Sequence, residues 1–99
     1  MTTVPDRSEA EALTRGLISH RLAACVQILP EMTSVYRWEG EIQRESELLL
    51  LIKSDAGRYD EIEEFIKSSH SYDVPEIASV EADRVSEAYA SWLGESVTR

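Results

Sequence analysis

The chain has 99 residues, 42% of them hydrophobic and 29% charged, which is the composition of one globular domain with no room for a second core. A formal net charge of −9 excludes the clustered Lys and Arg that carry nucleic-acid binding, and it repels anionic lipid. The single cysteine makes no internal disulfide, and there is no signal peptide or membrane-length apolar run, so a reducing cytoplasm is the expected setting.

After MTTV the chain turns at Pro5-Asp6, where Asp6 or Ser8 can cap a helix; Ser8 and Glu11 have capping-box spacing. Ala10, Leu13 and Leu17 recur at helical intervals to about His20. Ala23 to Val35 reads as strand interrupted by Pro30, a residue that belongs at an edge or bulge because it donates nothing to a ladder. VYRWEGEI is a hairpin tip turning at Gly40, with Tyr36 and Trp38 on one face. The return strand runs from about Glu41 to Lys53. A second helix follows, capped by Ser54 or Asp55, striped by Tyr59, Ile62 and Ile66, and ending near His70. PEIASVEA reads as a further strand, and Val85, Ala88 or Tyr89, and Trp92 as a short C-terminal helix.

The expected fold class is therefore α+β, a ferredoxin-like βαββαβ order with an added helix, over residues 1–99 as a single domain. Such a sheet carries helices on one face only, so its strands should alternate apolar and polar. Residues 48–52, LLLLI, do not: Leu49 and Leu51 point one way, Leu48, Leu50 and Ile52 the other. The uncovered face would be a large apolar patch on a monomer, so a further copy of the chain is expected to cover it. The same argument favours packing for Cys25, which sits in AACVQIL with no base at short range; metal ligation and nucleophilic use are the alternatives.

LAACV followed by ILP, then SVYRWEGEI, LLLIKS, HSYDVPEI and AYASWL, resembles the CutA family of divalent-cation tolerance proteins along nearly the whole chain. The resemblance implies a PII-like homotrimer whose extended hairpin arms reach neighbouring subunits, with Cys25, Tyr36, Trp38, Leu49 and Leu51 at the trimer interface. The chain departs from the family pattern at Tyr36-Arg37-Trp38, which has an arginine in place of a tryptophan, and at His70-Ser71-Tyr72-Asp73, which lacks a proline. Its first strand, Met1 to Val4, is short for the family and is expected to pair only at its C-terminal end.

The family's proposed copper ligands fall at Thr2, Ser69 and His70, and of these only His70 is a metal-binding type. The candidate metal set is accordingly His70, Asp73 and Glu76, with capping of the helix C-terminus as the competing role of His70, and of His20 likewise. Lys53, Tyr72 and Glu76 are the candidate ligand cleft, with an intersubunit salt bridge as the competing role of Lys53 and Glu76. The implied function is a non-enzymatic trimer in tolerance of or response to divalent metal, copper among them, requiring no cofactor. The alternative is a PII-like module that binds a small effector. The chain carries no nucleophile elbow, phosphate loop or metalloprotease motif.

Overall fold

Asp6 rather than Ser8 starts the first helix. Its carboxylate accepts from the Glu9 backbone N–H at 2.8 Å, capping α1 (Arg7–Ser19). The computed structural model describes residues 1–98. Around α1 are β1 (Thr2–Val4), β2 (Cys25–Ile28), β3 (Met32–Trp38) and β4 (Glu41–Lys53). After a 3-10 turn at Ala56–Arg58 come α2 (Tyr59–Ser69) and α3 (Glu87–Ser96). Val85 lies before α3, which Ser86 caps by accepting from the Tyr89 N–H.

The strands β1, β2 and β3 all pair antiparallel with β4. β1 is in register along its whole length, Thr2 opposite Leu50 and Val4 opposite Leu48, and Thr2 also bridges Ile77 on the other side. Two expectations need correction here. The first strand is not paired only at its C-terminal end, and PEIASVEA forms a single bridge instead of a strand. On the Val4 side the ladder is stopped because the carbonyl of Thr3 is taken by the His70 ring and Pro75 has no N–H to donate. Met1 and Ala78 exchange backbone hydrogen bonds of 2.7 and 3.2 Å, and the ladder goes no further.

Pro30 does mark a bulge. Ile28 is opposite Leu50 and Met32 opposite Glu47, so residues 29–31 face only Leu48 and Leu49. The extra residue reverses the parity of the pairing. Even-numbered residues of β3 consequently share a face with odd-numbered residues of β4.

The core forms on one side of the sheet. Val4, Leu48 and Leu50 meet Ala10, Leu13 and Leu17 of α1 and Ile62 and Ile66 of α2, with Val26, Ile28, Ile52 and Phe65 packed around them. The helices approach closely at Gly16, where an added Cβ would run into the ring of Phe65, with Cε2 at 2.9 Å. Thr3, Cys25, Gln27, Leu49 and Leu51 fall on the opposite, helix-free side. Leu49 and Leu51 are half-buried there, whereas Leu48 and Leu50 are 5% and 0% exposed. The doubly apolar run thus has one side filled from within the chain and one side left partly bare.

Beyond the body, β3 and β4 continue as an arm that turns at Glu39-Gly40, with φ of 51° and 81°. Two successive positive φ values make the two-residue turn whose twist matches a hairpin. α3 is held at its C-terminal end, where Val97 is buried and Arg58 and Arg21 donate to the carbonyls of Val97 and Ser96.

Candidate functional site

The end of α2 builds a polar interior cluster. His70 closes the helix, its N–H donating to Ile66 O at 2.9 Å, and its extended backbone (φ −86°, ψ 144°) turns the chain back toward the sheet. Its imidazole is fully buried. Nε2 lies 2.7 Å from the carbonyl oxygen of Thr3, and Nδ1 lies 3.0 Å from the backbone nitrogen of Tyr72. A carbonyl only accepts and a backbone N–H only donates, which assigns the tautomer: Nε2 carries the proton and Nδ1 offers its lone pair. The ring takes the place of a strand at Thr3, whose outward carbonyl has no ladder partner there.

Two carboxylates flank this ring. Glu9 Oε2 is 3.3 Å from Nδ1, but it accepts from the Ser71 N–H at 3.0 Å. With no proton on Nδ1 the Glu9–His70 approach is not an ion pair; the carboxylate is held by the turn. The Tyr72 ring lies against the imidazole at a centroid distance of 4.7 Å, and its hydroxyl donates to Glu47 Oε2 at 2.9 Å. Glu47 is only 7% exposed. Burial, then the hydrogen bond and charge of Glu47, push the Tyr72 phenol well above the ordinary tyrosine range. Tyr36, opposite Gln43, shares its face of the β3–β4 pair with Glu45 and Glu47, and burial together with their charges pushes its phenol up. The cluster clasps α1, β1 and β4 to the turn after α2.

The sequence-derived sites divide against this geometry. His70 has both ring nitrogens in use, so ligating a metal would break one of two buried hydrogen bonds. Among the described residues no group of three or more His, Cys, Asp or Glu side chains is placed to hold a metal ion. His70, Asp73 and Glu76 are therefore not assembled as a ligand set within one chain; Asp73 and Glu76 are exposed. Within one chain Lys53 and Tyr72 also stand apart. The Tyr72 hydroxyl is at Glu47, and Lys53 is six residues further along β4, roughly 20 Å of strand. The hydroxyl of Ser54 is committed to Leu22 O at 2.6 Å. Cys25 lies opposite Lys53 on the helix-free side, half-buried and free. Tyr36 and Trp38 share a face of the arm and are 42% and 48% exposed. His20 closes α1, its Nδ1 donating to Gly16 O at 2.8 Å.

Glu9, Thr3 and Glu47 escaped the reading of the sequence. Only Glu47 left a signal, as a charge at the head of the odd-numbered apolar positions Leu49 and Leu51.

The sequence pattern described as CutA1 divalent ion tolerance protein matches residues 1–96. The chain belongs to the CutA1 family. It is 40% identical over 96 residues to the divalent-cation tolerance protein CutA of Thermus thermophilus, covering 97% of this chain and 93% of that one. The solved structure of that CutA1 protein superposes with a TM-score of 0.93 over 96% of this chain and 92% of the other. The periplasmic divalent cation tolerance protein CutA of Archaeoglobus fulgidus, 31% identical, gives a TM-score of 0.95 over 98% of this chain and 94% of its own. Human protein CutA is 33% identical over 91 residues, 92% of this chain, which spans only 51% of that longer relative. The α+β architecture, an antiparallel sheet with three helices, is thus that of solved CutA1 proteins. The CutA1 name refers to divalent-cation tolerance, not to a catalysed reaction.

Proposed function

We propose that this chain acts as a homotrimer in divalent-cation tolerance, copper included, and catalyses no reaction. The carrying observation is the CutA1 match over residues 1–96. The partly bare apolar side of the sheet supports the assembly: Leu49, Leu51 and Cys25 gain burial there when further copies close over it, as in the PII-like ring. The metal is held weakly, by exposed carboxylates such as Asp73 and Glu76 on a surface of net negative charge, while His70 stays in its clasp. The two-residue turn at Glu39-Gly40 offers no long flexible loop, which counts against the effector-signalling alternative.

Native mass spectrometry with and without copper tests both parts together. A three-chain species that takes up copper only at high micromolar to millimolar metal is the expected result. A folded single-chain species would refute the assembly, and a lack of copper adducts at millimolar metal would remove direct binding. Asp73→Asn with Glu76→Gln is expected to diminish the uptake.

A further inference from the structure

The two faces of the arm carry opposite charge. Val35 is opposite Arg44 and Arg37 opposite Ile42, so one face presents two arginines and two aliphatic side chains. Ser34 is opposite Glu45, Tyr36 opposite Gln43 and Trp38 opposite Glu41, so the other face presents two aromatic rings and the carboxylates of Glu41 and Glu45, while Glu47 at its base is buried against Tyr72. Residues 35–42 are all exposed, with Val35 at 56%, Ile42 at 68% and Trp38 at 48%. Among the described residues Arg37 reaches only Gly40 O, at 3.4 Å, and Arg44 has no hydrogen-bond or ion-pair partner.

The two surfaces match in chemistry as well as sign. A guanidinium stacks on aromatic faces and binds carboxylates through a planar fork, and the opposite face of the arm supplies both, in Tyr36, Trp38, Glu41 and Glu45. Val35 and Ile42 add aliphatic surface to bury against the rings. Self-pairing of like faces is disfavoured, because it sets arginine on arginine or carboxylate on carboxylate. We infer that the Arg37–Arg44 face of one copy docks on the Tyr36–Trp38–Glu45 face of the next. Such a contact uses a different patch on each partner and is therefore head-to-tail, the kind that closes rings and not twofold pairs. The inference rests on the homotrimer reading and adds to it the residues that set the order of the ring.

Charge reversal separates the two. Wild-type protein, R37E/R44E and the fourfold swap R37E/R44E/E41K/E45K are compared by sedimentation and native mass spectrometry over a dilution series, with circular dichroism confirming folding. The docking predicts that R37E/R44E needs at least tenfold more protein than wild type to form the three-chain species, and that the fourfold swap recovers most of that loss. If R37E/R44E assembles like wild type, the docking is overturned while the trimer stands. If R37E/R44E weakens and the fourfold swap weakens further, the arginines do not face these carboxylates and the docking is again overturned. A single-chain wild type ends both. Should R37E/R44E fail to fold, R37Q/R44Q gives the same reading with a smaller shift.

Discussion

His70→Ala discriminates between a metal ligand and a structural clasp. The substitution removes a buried ring and leaves Thr3 O and the Tyr72 N–H without partners, where they had bonds of 2.7 and 3.0 Å. An unsatisfied buried group costs about 1–3 kcal/mol, and Thr3 is only 5% exposed, so its carbonyl falls toward the upper part of that range. Ser71 beside the turn is exposed, so water can reach Tyr72 N and relieve part of its loss. The expected total is about 3 kcal/mol, a large share of a stability that is on the order of 5–15 kcal/mol for a domain. For a domain of this size that corresponds to a fall in melting temperature of more than about 10 °C. Urea denaturation at fixed protein concentration measures it, because assembly would otherwise mix into the midpoint. His20→Ala is the control: its ring is exposed and makes one bond to Gly16 O, so a loss below about 1 kcal/mol is expected. Copper titration of the same folded variants completes the test. A His70→Ala protein that keeps its urea midpoint but loses tenfold or more in copper affinity would refute the clasp and restore His70 as a ligand.

Thr2 is fully buried opposite Leu50 and its hydroxyl has no hydrogen-bond partner, so Thr2→Val should stabilise by about 1 kcal/mol, read as a higher urea midpoint with an unchanged slope; a lower midpoint would show that the hydroxyl is bonded. Gly16→Ala should destabilise by about 1–3 kcal/mol because the new methyl group drives into the Phe65 ring, and Phe65→Leu in the same chain should recover part of the loss; an additive pair would refute the contact. Tyr72 keeps its proton in the folded chain to a higher pH than in the unfolded one. Stability should therefore be unaffected by this group below the ordinary tyrosine range and fall as pH rises past about 10, with Tyr72→Phe shallower than wild type in denaturation series across that range.

Much of this architecture was legible before any coordinates, and for local reasons. The period of Ala10, Leu13 and Leu17, the Glu39-Gly40 turn, the limits of Glu41–Lys53 and the interruption at Pro30 each follow from side chains acting within a few residues of themselves. The two-sided apolar character of residues 48–52 also needed only strand alternation. The short motifs, taken in order, carried the family. The 75–82 segment was misread because its composition favours a strand, but strand formation is decided by the partner, and beside it β1 offers only the bridge at Thr2 and the Met1–Ala78 hydrogen bonds.

What the chain alone determined, then, is the order of its elements as far as the second helix, which of their faces are apolar and the CutA1 kinship. Tertiary structure decided the chemistry of the site. A histidine followed by carboxylates in sequence looks like a ligand set, because sequence proximity says nothing about where ring nitrogens point. Folding brought Thr3 and Glu9, separated from the turn by 67 and 62 residues, and Glu47 from β4 against that turn, and their hydrogen bonds fixed the imidazole in one tautomer with no free nitrogen. The division of the arm into a cationic and an anionic face has the opposite origin: the two-residue turn at Glu39-Gly40 sets Trp38 opposite Glu41 and carries every earlier pair of the arm in step, so strand alternation alone separates the arginines from the carboxylates.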